Sequence, residues 1–127
     1  MMVMRSFVAP GRWVAGVVVV AAGVAGGAPA FAADAVVGNG AVVARSNACM
    51  GCHAVDRKLV GPSFKDIAAR YKGDAGAQAK LEKKVKDGGA GVWGAVPMPA
   101  HPRMSAGDVK DVVTWVLAGA PDSSGSK

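Results

Sequence analysis

The chain has 127 residues, of which 51% are hydrophobic and 19% are charged, and its formal net charge at pH 7 is +6. This length allows one small domain, in which 18 glycines leave few large side chains for a hydrophobic core. The basic residues are not interleaved with aromatic residues, which make up only 6% of the chain, so the charge does not indicate nucleic-acid binding.

Residues 1–32 are predicted to be a secretory signal peptide that is removed. Arg5 and Arg12 precede an uninterrupted stretch of apolar residues and glycine, and an Ala-x-Ala cleavage site ends at Ala32. A retained membrane anchor is the alternative, although the apolar run is shorter than the roughly 20 residues that a membrane span needs. We therefore expect export, which in a bacterium means the periplasm, and a mature domain of residues 33–127 without a membrane span.

The first predicted helix covers residues 35–47. Four valines on this segment favour a helix with an apolar face, whereas Gly38 and Gly40 weaken it. Asp34 is the expected N-cap. The helix leads directly into the cysteine motif that follows.

The motif Cys49-Met50-Gly51-Cys52-His53 is typical of a covalent attachment site for haem c. Because residues three apart share a face of a helical turn, both thiols can reach the two vinyl groups on one porphyrin edge. His53 follows at once, so its imidazole can ligate the iron. A thioredoxin-type dithiol would need a βαβ context, and a disulfide across two residues would constrain almost nothing. A zinc site would need four ligands, here Cys49, Cys52, His53 and His101, but the adjacent Cys52 and His53 do not share a face of a helical turn.

Two short helices are predicted after this motif, separated by turns. Residues 54–63 form a loop, and Ser63 caps a helix over residues 64–71 with apolar side chains at i, i+3, i+4 and i+7. A third helix covers residues 75–87 and ends at a pair of glycines. No strand is predicted anywhere in the chain.

Residues 91–103 are predicted to form a loop, because they hold three prolines and show no periodicity. Met98 has a proline on each side, and these prolines favour extended, stiffened backbone. A methionine on such a segment is a good candidate for the second axial ligand of the iron. His101 and Met104 remain alternatives, as do an open or water-bound position and a plain core role for Met98.

The last helix is predicted to begin after Ser105, its N-cap, with Asp108 in its first turn. A stripe of valines forms its apolar face, and it ends near Gly119 and Pro121. The polar residues 122–127 are expected to be a frayed tail.

Five segments together carry a resemblance that spans nearly all of the mature chain. They are Cys49-Met50-Gly51-Cys52-His53, Val60-Gly61-Pro62-Ser63-Phe64-Lys65-Asp66-Ile67, Gly91-Val92-Trp93-Gly94, Val96-Pro97-Met98-Pro99 and Thr114-Trp115-Val116-Leu117. In these segments the chain resembles the small bacterial class I monohaem cytochromes c of the cytochrome c-551 type, the electron donors of nitrite reductases. The resemblance implies an all-α fold of about four helices around one covalently bound haem.

The resemblance also implies roles for individual residues. Pro62 stands where a carbonyl accepts the ring N–H of the axial histidine, and Trp93 where an indole donates to a haem propionate. Lys84 stands where relatives often have arginine or histidine near a propionate. His101 stands where relatives often have an asparagine that orients the methionine sulfur.

The predicted function is one-electron transfer, not catalysis. With His53 and Met98 both bound, the iron would have no open position for a substrate. The alternative is a haem enzyme or gas-binding protein, such as a weak peroxidase, with a labile sixth ligand. A third interpretation is a membrane-anchored cytochrome in an oxidase assembly.

The charge suggests the partners. Removal of Arg5 and Arg12 lowers the formal net charge from +6 to +4. The remaining basic residues either form an ordinary solvated face or steer docking onto acidic redox proteins, such as a reductase, an oxidase or a cytochrome bc1-type donor. We expect a monomer. The basic residues concerned are Arg57, Lys58, Lys65, Lys80, Lys83, Lys84 and Lys86.

Overall fold

Four α-helices and one short 3-10 turn are the regular elements of the computed structural model, which describes residues 31–122 and side chains from residue 37 onward. Nearly all of the predicted signal peptide and residues 123–127 lie outside this range. Within it no strand is formed, and the predicted all-α class with about four helices is confirmed. The elements are α1 (Phe31–Ser46), the turn Cys49–Gly51, α2 (Phe64–Arg70), α3 (Ala77–Asp87) and α4 (Ala106–Leu117).

Helix α1 begins earlier than predicted, because it already includes Phe31. Asp34 therefore lies inside the helix, and the prediction that it is the N-cap was wrong. Ala32 and Ala33 precede it, and alanine has the highest intrinsic helix propensity, so the backbone continues as helix through these positions.

The caps of α2 and α4 are those predicted. The Ser63 hydroxyl accepts a hydrogen bond from the Asp66 amide at 3.0 Å, and the Ser105 hydroxyl accepts one from the Asp108 amide at 3.0 Å. Each bond satisfies one of the amide donors that a helix start leaves unpaired. Helix α3 begins two residues later than predicted and has Gly76 as its N-cap, without a side-chain bond.

Helix α4 is the centre of the packing, since α1, α2 and α3 all contact it. The crossing of α1 and α4 depends on Gly40, which is buried. A Cβ atom placed on Gly40 would lie 2.5 Å from the Asp111 carbonyl oxygen and would also overlap Trp115. The glycine that weakens α1 by intrinsic propensity therefore permits the two backbones to approach closely.

The hydrophobic core is built on the predicted valine stripe of α4. These four valines are 2–7% exposed and pack with Phe64, Ile67, Leu81 and Trp115. Two of the large apolar side chains do not join this core: Leu59 is 41% exposed and Trp93 is 39% exposed. The stripe residues are Val109, Val112, Val113 and Val116.

Candidate functional site

A cavity of about 340 Å³ lies between the cysteine turn and the loop after α3. Its walls are mainly apolar side chains and glycines, in the size range of sites for small molecules and cofactors. Neither Met50 nor Met104 lines it, and Met104 is a core residue with 7% exposure. Every residue that the sequence assigned to the site lines this one cavity: Cys49, Cys52, His53, Pro62, Lys84, Trp93, Met98 and also His101.

The two cysteines lie on a tight turn at the cavity wall. The amides of Cys52 and His53 both donate to the Cys49 carbonyl, at 3.2 and 3.0 Å, and this places the three side chains close together. Both cysteines are half-buried. Burial raises the pKa of the Cys49 thiol, and the neighbouring Cys52 acts in the same direction.

The imidazole of His53 is buried and is held by the backbone of Gly61 and Pro62. Its Nδ1 atom lies 2.7 Å from the Pro62 carbonyl oxygen, to which an Nδ1–H donates. The backbone of Gly61 packs against the ring, since a Cβ atom on Gly61 would lie 2.5 Å from His53 Cε1. With Nδ1 engaged, Nε2 is the ring nitrogen whose lone pair remains for a metal.

Aromatic rings connect His53 to the core. Phe64 stacks on the imidazole with ring centroids 5.3 Å apart, and its other contact is an edge-to-face pair with Trp115 at 5.0 Å. The Trp115 indole N–H donates to the Pro121 carbonyl at 2.9 Å. The orientation of the imidazole is therefore coupled to the packing of α2 and α4, which the sequence did not reveal.

Met98 is held by the glycine pair at the end of α3. Gly89 and Met98 exchange two backbone hydrogen bonds of 2.9 and 3.1 Å. Gly88 has φ +69°, and a Cβ atom on it would lie 2.7 Å from the Ala100 amide nitrogen. The sequence identified these glycines only as a helix stop, whereas the structure makes them the support against which the methionine segment lies.

His101 lines the same cavity as Met98 and is half-buried. Its amide donates to the Val85 carbonyl at 3.0 Å, so the residue is tied to the last turn of α3. Its position leaves His101 available as an alternative ligand. Met104 is not available in this way, because it is buried in the core.

Trp93 lies in the exposed loop between the glycine pair and Met98, and its partner is a residue that the sequence analysis missed. The guanidinium carbon of Arg70, at the end of α2, lies 4.7 Å from the Trp93 ring centroid. This cation–π contact connects the loop to α2. Lys84 lines the cavity from α3, and its ammonium donates to the Gly88 carbonyl at 3.2 Å.

The residues at the cavity fit haem c. Two thiols three residues apart, an imidazole with one engaged nitrogen and a thioether share one apolar cavity. A zinc site finds no such support, because in the part of the chain that the structure describes no three His, Cys, Asp or Glu side chains are grouped to hold a metal ion. The same part contains no helix that combines the length and apolar character of a membrane span.

The lysines of α3 are not a free row of charges. Lys80 pairs with Asp74 at 2.6 Å and Lys83 pairs with Asp87, while Lys86 donates to two backbone carbonyls. The Lys80 ammonium, with help from the Gly76 amide, lowers the pKa of the Asp74 carboxyl. Of the α3 lysines predicted to form a steering surface, Lys80 and Lys83 are therefore paired with carboxylates, whereas Lys84 and Lys86 keep their charge.

Comparisons with known proteins agree with this site. The sequence model of the family described as Cytochrome c matches residues 37–120. Cytochrome c-551 of Allochromatium vinosum is 50% identical over 76 residues, which are 60% of this chain and 81% of that protein. Cytochrome c-551 of Pseudomonas aeruginosa is 43% identical over 77 residues, or 61% of this chain and 73% of that protein. The crystal structure of Nitrosomonas europaea cytochrome c552 superposes with a TM-score of 0.60 at 43% identity, covering 62% of this chain and 98% of that one.

Proposed function

This chain belongs to the cytochrome c family, electron carriers with covalently attached haem c, and we propose that it is a periplasmic one-electron carrier with His53 and Met98 as axial ligands. The observation that carries the proposal is the convergence of both cysteines, His53 and Met98 on one apolar cavity. Haem c supplies a ferric–ferrous couple when it is bound.

Each residue of the cavity has a distinct part in this proposal. Cys49 and Cys52 form the two thioethers, and His53 binds through Nε2 while the Pro62 carbonyl holds its Nδ1–H. Met98 provides a soft thioether that raises the potential. The apolar walls exclude water, which disfavours additional charge inside the cavity.

Trp93 and Lys84 are proposed to bind the propionates. Both line the cavity, and each has one N–H-bearing group, an indole or an ammonium, suited to a carboxylate. The Arg70 guanidinium on the Trp93 ring limits the orientations that the indole can take.

The ligand assignment is tested by absorption spectra of the purified protein, oxidised and reduced, including the weak far-red band of sulfur-to-iron ligation. Met98→Ala should abolish that band and lower the potential. Met104→Ala is the matched control, because Met104 is buried outside the cavity and its loss should destabilise the fold while leaving the band. A far-red band that persists in Met98→Ala would remove Met98 from the ligand set.

A second function is favoured by one observation, the presence of His101 in the same cavity. A labile Met98, exchanged with His101 or lost, would make the protein a haem enzyme or gas-binding protein such as a weak peroxidase. Carbon monoxide added to the reduced protein separates the two: slow or absent binding supports the carrier, and rapid stoichiometric binding supports the enzyme.

Docking onto acidic redox partners is proposed to use the loop after the cysteine motif. Exposed Arg57, which lies 3.9 Å from Asp56, and exposed Lys58 directly precede Leu59 and Val60. These two apolar residues are 41% and 57% exposed, and Val60 also lines the cavity. These cations are nearer in sequence to the haem attachment site than the paired lysines of α3. The reaction with an acidic redox protein should slow as ionic strength rises.

A charge reversal locates this surface. Lys58→Glu should slow the reaction at low ionic strength, whereas Lys83→Glu is the matched control with a smaller effect, because it makes the same change of charge on α3, outside the proposed docking loop. Equal effects of the two variants, or rates independent of salt, would contradict the proposed surface.

The periplasmic location is proposed from the N-terminal sequence. Arg5, Arg12 and the apolar stretch have the features of a signal peptide. N-terminal sequencing of protein from the periplasmic fraction should begin at Ala33, whereas an intact N-terminus in the membrane fraction would indicate an anchor.

A further inference from the structure

Lys86 has a hydrogen-bonding position unlike that of the other lysines of α3. Its ammonium donates to the Pro102 carbonyl at 2.9 Å and to the Met104 carbonyl at 2.7 Å. Among the residues whose side chains the structure describes, Lys86 is the only one whose side chain donates to the backbone of residues 97–104. This segment, here called the methionine strap, begins beside the proposed axial ligand and ends at the core residue Met104.

The methionine strap is poor in hydrogen-bond donors of its own. Proline occupies positions 97, 99 and 102, so three of its residues lack an amide hydrogen. A segment of this composition cannot hold its shape by backbone pairing alone, because its carbonyl groups outnumber its amide hydrogens. Its carbonyls therefore bond to water or to donors from elsewhere in the chain, and Lys86 provides two bonds of the second kind.

Three successive contacts connect the strap to the end of α3. Gly89 pairs with Met98, the Val85 carbonyl accepts from the His101 amide, and Lys86 binds the last turn of the strap. The first contact lies at the methionine itself, and the third lies at the far end of the strap. The third contact is the only one of these that a side-chain substitution can remove without altering the backbone.

We propose that Lys86 is a positioning residue for the axial methionine: its ammonium fixes the far end of the strap and so slows the dissociation of Met98 from the iron. This inference rests on the proposed His53/Met98 ligation. Hydrogen bonds from a charged donor are stronger than neutral ones, and a lost pair leaves two carbonyls without their partner. After this loss the far end of the strap is held to the rest of the protein by the burial of Met104 alone, instead of by this packing and two bonds, while the Gly89 and Val85 contacts remain.

The test is the binding of imidazole to the oxidised holoprotein, a reaction in which the incoming ligand must wait for Met98 to leave. Lys86→Met keeps the length of the side chain but removes its charge and donors, and it should raise the binding rate about tenfold. Lys86→Arg keeps the charge and the hydrogen-bond donors and should show the wild-type rate. Lys83→Met is the matched control, because Lys83 lies on the same helix with a 79% exposed side chain and contacts Asp87 instead of the strap.

Denaturant unfolding of the same proteins separates positioning from general stability. The inference is supported if imidazole binds faster to Lys86→Met, if Lys86→Arg binds it at the wild-type rate, and if the rate change, expressed as a free energy, exceeds the loss of global unfolding free energy. An unchanged rate overturns it, as does a faster rate that is fully matched by the loss of global unfolding free energy. Lys86→Gln undergoes the same comparison if the methionine variant does not fold. A wild-type spectrum without sulfur-to-iron ligation would instead refute the proposed ligand set, so the two failures are distinguishable.

Discussion

Two glycines of helix α1 should respond to the same substitution with opposite signs. A Cβ atom on Gly40 would lie 2.5 Å from the Asp111 carbonyl oxygen and 3.1 Å from Trp115 Cγ, whereas one on Gly38 would meet nothing within 4 Å. The obstruction at Gly40 is formed by backbone and by a core indole that is 3% exposed. Neither can move aside cheaply, so the two helices would have to separate.

The magnitude follows from two opposing terms. Replacement of glycine by alanine inside a helix stabilises by roughly 0.5–1 kcal/mol, and both positions receive this gain. Overpacking of a well-filled contact costs about 1–3 kcal/mol, and only Gly40 bears this cost. We therefore expect Gly38→Ala to raise the free energy of unfolding by up to about 1 kcal/mol and Gly40→Ala to lower it by about 1–2 kcal/mol.

The measurement is denaturant unfolding of the holoprotein, followed by far-ultraviolet circular dichroism and by haem absorbance. For a domain of this size each kcal/mol corresponds to a shift of about 4–8 °C in Tm, so the two variants should be well resolved in a thermal scan. Haem absorbance should respond as well, because Trp115 packs against Phe64 and Phe64 stacks on His53. Equal stabilities of the two variants would refute the inference that Gly40 sets the helix separation.

Two other predictions concern the imidazole and the acid stability. Gly61→Ala should displace the His53 ring, because the new methyl group would lie 2.5 Å from Cε1, and the haem content per polypeptide should therefore fall. Gly51→Ala is the control and should have a normal haem content, because its Cβ atom would lie in open space. A normal haem content in Gly61→Ala would show that the ring has room to move. The Lys80 ammonium lowers the pKa of Asp74, so the stabilisation from this carboxylate is present above the usual carboxyl pKa and is lost as the pH falls through the lowered value. Asp74→Asn should lack this component, so that its unfolding free energy differs from wild type near neutral pH and converges with it in strong acid; a constant difference across the pH range would contradict the assignment.

Features that depend on a few neighbouring residues were predicted well from the sequence. The caps Ser63 and Ser105 depend on the spacing to Asp66 and Asp108, and the valine stripe of α4 depends only on the helical period. The cysteine motif belongs to the same class, because covalent attachment needs two thiols at a set spacing on one turn. The error at Asp34 has a local cause as well, since the good helix formers before it were not weighed against its capping preference.

Features that join distant segments were not predicted, apart from the contact of Pro62 with His53, which the resemblance implied. By helix propensity Gly40 is a weak point of α1, but in the structure it is where α1 contacts Trp115 of α4. Arg70 was assigned no role, because its cation–π contact is with Trp93 on another loop. The α3 lysines were predicted to form one steering surface, but Asp74 pairs with Lys80 and Asp87 pairs with Lys83.

The sequence by itself determined the identity of the cofactor and the helical fold and predicted the iron ligands, because each of these depends on residue type and short-range spacing. The resemblance already implied Pro62 as the partner of His53, but only the tertiary structure decided the other contacts that hold these residues. The Pro62 carbonyl, the glycine pair at the end of α3 and the Lys86 ammonium act on side chains or backbone from elsewhere in the chain. Such contacts are directional and short in range, so they exist only once packing has brought the partners within bonding distance.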